Sequence, residues 1–98
     1  MIRSFGDQAT EDIWNGENTS VARKIPREIW KVAQRKLDMI QAAHELNDLR
    51  VPPGNRLEKL RGDLKDSYSI RINDQYRIVF KWVQNAAEDV KITDYHRG

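Results

Sequence analysis

The stretch Ser67-Tyr68-Ser69-Ile70-Arg71-Ile72-Asn73-Asp74-Gln75-Tyr76-Arg77-Ile78-Val79-Phe80-Lys81-Trp82 decides the fold. Apolar residues recur at every second position on both sides of Asn73-Asp74-Gln75. That is the period of a half-buried strand, and the polar triplet between the two runs is turn chemistry. Tyr68, Ile70 and Ile72 can share a face with Tyr76, Ile78 and Phe80 only if paired residue numbers sum to an even value. A turn over residues 73–75 satisfies this, pairing Ile72 with Tyr76, Arg71 with Arg77 and Ile70 with Ile78. A one-residue slip would put the two apolar sets on opposite faces, so this register is strongly preferred.

Downstream, Asp89-Val90-Lys91-Ile92-Thr93-Asp94 alternates again after a turn expected over residues 84–88. Upstream, Leu57 and Leu60 flank a short strand at Glu58-Lys59. Consecutive strands joined by short turns form an antiparallel meander. Before residue 56 the period is 3.6. Ile29, Ala33, Leu37, Ile40 and His44 stand at helical spacing behind Pro26, which suits a first helical turn, so a helix is expected over 26–44. On that stripe His44 reads as packing. Pro52-Pro53-Gly54-Asn55 ends the helical stretch in a rigid loop. A shorter helix, capped by Ser4 or Asp7, runs to Trp14 and stops at Asn15-Gly16. Residues 16–24 read as loop or one loose turn, residues 2–5 as a short strand, and Trp14, Trp30 and Trp82 as core anchors. The expectation is one α+β domain over 1–98, an antiparallel sheet covered on one face by the N-terminal helices.

With 98 residues, 39% of them hydrophobic and 33% charged, the chain suits one small folded domain. No apolar run nears the roughly 20 residues of a membrane helix. Met1-Ile2-Arg3-Ser4-Phe5 lacks the apolar segment of a secretory signal. No membrane partner is therefore expected. Zero Cys excludes a disulfide framework, a thiolate metal site and a thiol nucleophile. His44 and His96 make no zinc spacing, and Pro52-Pro53-Gly54-Asn55 is no glycine-rich phosphate loop, so neither cofactor nor metal is expected. The net charge of +2 hides an asymmetry: residues 50–81 hold eight Lys and Arg against four Asp and Glu. Charge of one sign on a small surface steers an opposite partner, nucleic acid foremost. The plainer reading is a solvated sheet face.

The hairpin register sets Arg71 directly across from Arg77, with Lys81 farther along the same face. Like charges opposite each other destabilise a sheet by up to ~1 kcal/mol. Either both side chains splay into solvent, or an anion sits between them. Arginine suits phosphate, because its planar fork donates two parallel hydrogen bonds. Glu58 precedes this hairpin, followed by Lys59 and Arg61, and His96 follows the last strand in Asp94-Tyr95-His96. A carboxylate, an imidazole and several arginines are what metal-free cleavage of an RNA phosphodiester requires. A base deprotonates the 2′-OH, an acid protonates the leaving 5′-oxygen, and cations neutralise the phosphate oxygens. An imidazole with a pKa near ~6.5 is suited to supply that proton. Each residue also has a plain structural role open to it: a surface ion pair for Glu58, a solvated chain end for His96, core packing for Tyr95.

Leu57-Glu58-Lys59-Leu60-Arg61-Gly62-Asp63, then Tyr68 through Phe80, then Asp94-Tyr95-His96, resembles the HigB toxins of the RelE/ParE superfamily of toxin–antitoxin systems. The resemblance spans essentially the whole chain, including the Met-Ile-Arg-Ser-Phe start, Ala42-Ala43, Asp48-Leu49-Arg50 and Pro52-Pro53-Gly54-Asn55-Arg56-Leu57. It implies a RelE-like fold and a cytoplasmic endoribonuclease that cuts messenger RNA on the translating ribosome. It implies neutralisation by a HigA-type helix-turn-helix antitoxin, with operator DNA reached only through that antitoxin. By position, Arg77 matches the arginine on the scissile phosphate and His96 the general acid, with Asp94 and Tyr95 as its partners. Arg61 falls where relatives carry a basic residue, and Arg71 is a supporting phosphate contact; Lys59 and Lys81 complete the expected phosphate-binding set.

The chain departs from that pattern twice. Many HigB toxins carry histidine where this chain has Glu58, whereas the related YoeB toxins carry a glutamate there and use it as general base; Glu58 is assigned that role. Arg97-Gly98 extend beyond the histidine that usually ends the chain. A basic row, Arg23, Lys24, Arg27, Lys31, Arg35 and Lys36, is a candidate surface for docking on ribosomal RNA. Two other functions compete: a ParE-like poison of DNA gyrase, which needs no acid–base pair, and a noncatalytic RNA-binding regulator, which needs neither His96 nor Arg77.

Overall fold

A computed structural model describes residues 1–62 and 66–95. Its core element is a four-stranded antiparallel sheet in the order β1 (Glu58–Lys59), β2 (Ser67–Arg71), β3 (Tyr76–Val83), β4 (Ala86–Asp94). The central hairpin has the expected register: Ile70 faces Ile78, and Arg71 faces Arg77. Ile72 donates its backbone N–H to the Tyr76 carbonyl at 2.9 Å, closing the turn. Asn73 stiffens it by accepting from the Gln75 and Tyr76 backbone N–H groups at 2.8 and 2.7 Å.

Two helices, α1 (Gln8–Trp14) and α2 (Trp30–Ala42), cover one face of this sheet. Ala33, Leu37 and Ile40 of α2 are fully buried, in one cluster with Ile70, Ile78, Phe80, Val90 and Ile92. Burying each of the larger aliphatic side chains contributes ~1.5–3 kcal/mol, so this layer is the main source of stability. Asp7, not Ser4, caps α1, accepting from the Thr10 N–H at 2.9 Å. Ser4 instead accepts from the Asp89 N–H at 2.9 Å. The buried Thr10 hydroxyl accepts from the Ile92 N–H at 2.9 Å, pinning α1 to β4. Gly16, at φ +76, ends the helix in the left-handed region that glycine tolerates.

Several boundaries depart from the sequence expectation. Pro26 lies outside the helix, with ψ 131, and residues Arg27–Ile29 form a tight 3-10 turn before α2 begins at Trp30. A second such turn, Ala22–Lys24, is the one loose turn expected within residues 16–24. At the other end Ala43 turns extended, because the Asp48 carboxylate accepts from the His44 and Glu45 N–H groups at 2.9 and 3.0 Å and draws the chain out of the helix. His44 is therefore exposed, not packed on the apolar stripe. Lys36 is buried rather than part of a solvent-facing basic row, and donates to the buried Asn55 side chain. Trp14, Trp30 and Trp82 are only partly buried against the core.

The last turn is shorter than expected. Gln84 and Asn85 alone make it, both left-handed at φ 51 and 60, and the strand resumes at Ala86. A bulge then shifts the pairing between Val79 and Lys81, where Asp89 stands at φ 53. Residues 2–5 lie parallel beside β4 through single bridges, Ile2 to Ala87 and Phe5 to Val90, rather than a continuous ladder. Gly6 permits the close approach, since a Cβ there would stand 2.9 Å from the Asp89 carbonyl oxygen. No described helix is long and apolar enough to cross a membrane.

Candidate active site

The site lies on the sheet face turned away from the helices. Strand alternation puts Ser69 and Arg71 of β2 on that face with Arg77, Val79 and Lys81 of β3. The register extends the set to Glu58 opposite Ser69, Lys91 opposite Val79 and Thr93 opposite Arg77. Tyr95 follows β4, held by its backbone N–H on the Gln75 carbonyl at 2.6 Å.

Arg77 is the centre of this cluster. Only 9% of the residue is exposed, which is rare for a cation without partners. Its side chain runs across β2. Nε donates to Ser69 Oγ at 2.7 Å, and Nη2 donates to the Arg56 carbonyl at 2.5 Å and the Ser69 carbonyl at 3.3 Å. The Glu58 carboxylate stands 3.7 Å from Nη2, and the Tyr95 ring centroid lies 6.0 Å from Cζ. Burial lowers the proton affinity of Arg77, Glu58 and Tyr95 oppose that shift, and Arg71 and Arg56 reinforce it. An arginine starts high enough to stay charged regardless.

The two arginines that the register sets face to face turn apart. Arg71 pairs with Asp74 at the hairpin tip, while Arg77 leans toward β1. Lys81 lies farther along β3, 3.5 Å from the Asp89 carboxylate. Asp94 accepts from the Gln75 side-chain amide at 3.1 Å. Glu58, Arg71, Arg77, Lys81 and Tyr95 thus share one face. Lys59 alternates to the other side of β1, opposite Tyr68, and Arg61 is exposed in the segment beyond it. His96 and Arg97 lie outside the described residues, although His96 is bonded directly to Tyr95. Among the described residues no group of three His, Cys, Asp or Glu can hold a metal ion.

The supports of Arg77 carry almost no signal in the sequence. Ser69 is completely buried, and its hydroxyl fixes the guanidinium plane. Arg56 contributes only a carbonyl, presented by a backbone in the left-handed region at φ 46. The one sequence signal for Ser69 is its place in the same alternating row as Arg71.

Residues 3–96 match the family model described as RelE-like toxin of type II toxin-antitoxin system HigB. The chain belongs to this HigB-like toxin family. Toxin HigB-1 of Vibrio cholerae is 44% identical over 87 residues, 89% of this chain and 90% of that one. An uncharacterized protein of Haemophilus influenzae is 48% identical over 67 residues, 68% of this chain and 66% of its own length. Among solved structures, the YoeB–YefM complex from Staphylococcus aureus shares the fold at a TM-score of 0.60 and 19% identity, with 98% of both chains covered. The RelE-like α+β architecture expected of a HigB-like toxin is therefore the architecture present.

Proposed function

We infer that this HigB-like toxin is a ribosome-dependent endoribonuclease that cuts messenger RNA and so inhibits translation. The observation that carries this reading is the anchored guanidinium of Arg77, with the Glu58 carboxylate and the Tyr95 ring beside it on an open sheet face. Glu58 takes the proton of a 2′-hydroxyl, and that oxygen attacks the adjacent phosphorus. The bond from phosphorus to the 5′-oxygen breaks, and the leaving oxygen takes a proton from His96, which Asp94 orients. The products are a 2′,3′-cyclic phosphate and a 5′-hydroxyl. Arg77 stabilises the charge developing on the phosphate oxygens, with Arg71, Lys81 and Arg61 along the RNA strand's path, whereas Lys59, on the other face of β1, is too far round to join them. Tyr95 offers its ring to a base.

The charge of the molecule favours dependence on the ribosome. A net charge of +2 does not supply the broad cationic footprint of tight nonspecific RNA binding. The exposed Arg23, Lys24, Arg27, Lys31 and Arg35 offer a docking surface for ribosomal RNA. A HigA-type helix-turn-helix antitoxin is the neutralising partner and the link to operator DNA, and the cytoplasm is the setting. Family membership supports this, as does the fold shared with a toxin bound in a toxin–antitoxin complex.

Cleavage mapping by primer extension tests the reading, with purified chain, its Arg77→Ala variant, and transcripts either naked or bound to translating ribosomes. Cuts in ribosome-bound message only, absent with Arg77→Ala, are expected. Equal cutting of naked message would refute ribosome dependence. Loss of DNA supercoiling before loss of translation would point to gyrase instead.

A further inference from the structure

Residues 51–56 form the loop that leads into the short strand β1, and Asn55 is the one buried residue among them. Every polar atom of its side-chain amide is bonded. Oδ1 accepts from the Lys36 ammonium of α2, and Nδ2 donates to the Leu49 and Val51 carbonyls at 3.1 and 3.4 Å. Bridging an ammonium to two carbonyls takes an acceptor and two donors in one side chain, which a carboxamide supplies and a carboxylate does not. Lys36 is buried as well, and among the described residues no carboxylate pairs with it. Burial, Arg35 and Arg71 all lower its proton affinity. A buried cation held by a neutral amide is a poor source of stability, since an apolar side chain of similar volume often does as well or better.

We propose that Asn55 and Lys36 are positioning residues for Arg77, clasping this loop to α2 so that the Arg56 carbonyl is fixed where the guanidinium hangs from it. Arg56 follows Asn55 directly. Its backbone is left-handed at φ 46 and ψ 57, its N–H donates to the Pro53 carbonyl at 3.0 Å, and its carbonyl accepts from Arg77 Nη2 at 2.5 Å. A residue with a Cβ keeps that conformation only where its surroundings over-determine it. The Arg56 side chain is exposed, so the buried hold beside it is Asn55. Two residues on, Glu58 begins a strand only two residues long, and its carboxylate stands 3.7 Å from Nη2. One clasp therefore sets both the anchor of the arginine and the approach of the carboxylate. The proposal rests on the nuclease reading for its effect on rate, and is independent of it for the geometry of Arg77.

Arginine side-chain NMR on the full chain reads the anchor without any chemistry. The wild-type Arg77 guanidinium, held at Nε and Nη2, should show hindered rotation of its Nη groups. Asn55→Ala, and Lys36→Met, which exchanges the ammonium for an apolar chain of similar length, should speed that rotation by about tenfold or more, the scale of one lost hydrogen bond to a charged group. In cleavage of ribosome-bound message, kcat should fall by a similar factor with KM unchanged. Removing a buried charge in favour of an apolar chain leaves Lys36→Met folded, so its result stands even if Asn55→Ala folds poorly. A lower melting temperature in these variants, with the Arg77 signals and kcat at wild-type values, would make the contact structural only and overturn the proposal. A fall in kcat with the Arg77 signals unaltered would overturn it too, since the effect would not pass through the anchor. Arg77 signals that loosen in both variants of a chain whose wild type cuts no message would uphold the clasp and refute the nuclease reading instead.

Discussion

Arg77 is a buried cation whose inward edge is committed to Ser69 Oγ and two backbone carbonyls. Its Nη1 makes no hydrogen bond among the described residues, and the Glu58 carboxylate and the Tyr95 ring stand beside the guanidinium. Ser69 is on this account a positioning residue. A hydrogen bond to a charged group contributes ~1.5–3 kcal/mol, and 1.36 kcal/mol is tenfold in rate. Ser69→Ala should therefore lower kcat for cleavage by about tenfold or more with little change in KM, while Ser69→Thr, which keeps the hydroxyl, restores it. A loss confined to melting temperature, with kcat intact, would make Ser69 structural only. The opposition of Arg71 and Arg77 was legible because a period of two fixes every side chain once the register is known. The supports of Arg77 were not, since they depend on the path of one long side chain across the neighbouring strand.

At the scale of elements, apolar periodicity located the helices and the strands but not their ends. Those are set by short polar contacts. Asp48 draws the chain out of α2 by accepting from two N–H groups, and the left-handed Gln84 and Asn85 shorten a turn that the alanines after it disguise. These contacts have a pH signature. The Glu45 and His44 N–H groups hold the Asp48 carboxyl below its usual range, and the Thr19 hydroxyl and Gln8 amide do the same for Asp12. For both, the folded value lies below the unfolded one, ~3.9. Their contribution is complete above that value and is lost as pH falls through the depressed folded values. Thermal melts from pH 7 to pH 2 should show stability dropping through this acid window. Asp48→Asn should lower the melting temperature at pH 7 and make the acid slope shallower; an unchanged slope would contradict the assignment.

For the whole molecule, the division of labour follows from the sheet having two faces. One is sealed by α1 and α2 and holds the core, and the other is left open and collects the charged and aromatic side chains. Strand alternation made this division legible in the sequence. It could not show which way Lys36 points, because a lysine beside Arg35 reads as surface until Asn55 folds over it. On the proposed function, the open face cuts RNA by proton transfer around the anchored Arg77. The most direct test is end-group analysis of the fragments from a single-turnover reaction on ribosome-bound message, with wild type, Glu58→Gln and Arg77→Ala. A 2′,3′-cyclic phosphate with a 5′-hydroxyl is expected from wild type, with a rate at least ~10²-fold lower in Glu58→Gln and no product with Arg77→Ala. Fragments bearing a 5′-phosphate, or wild-type rates in both variants, would contradict it.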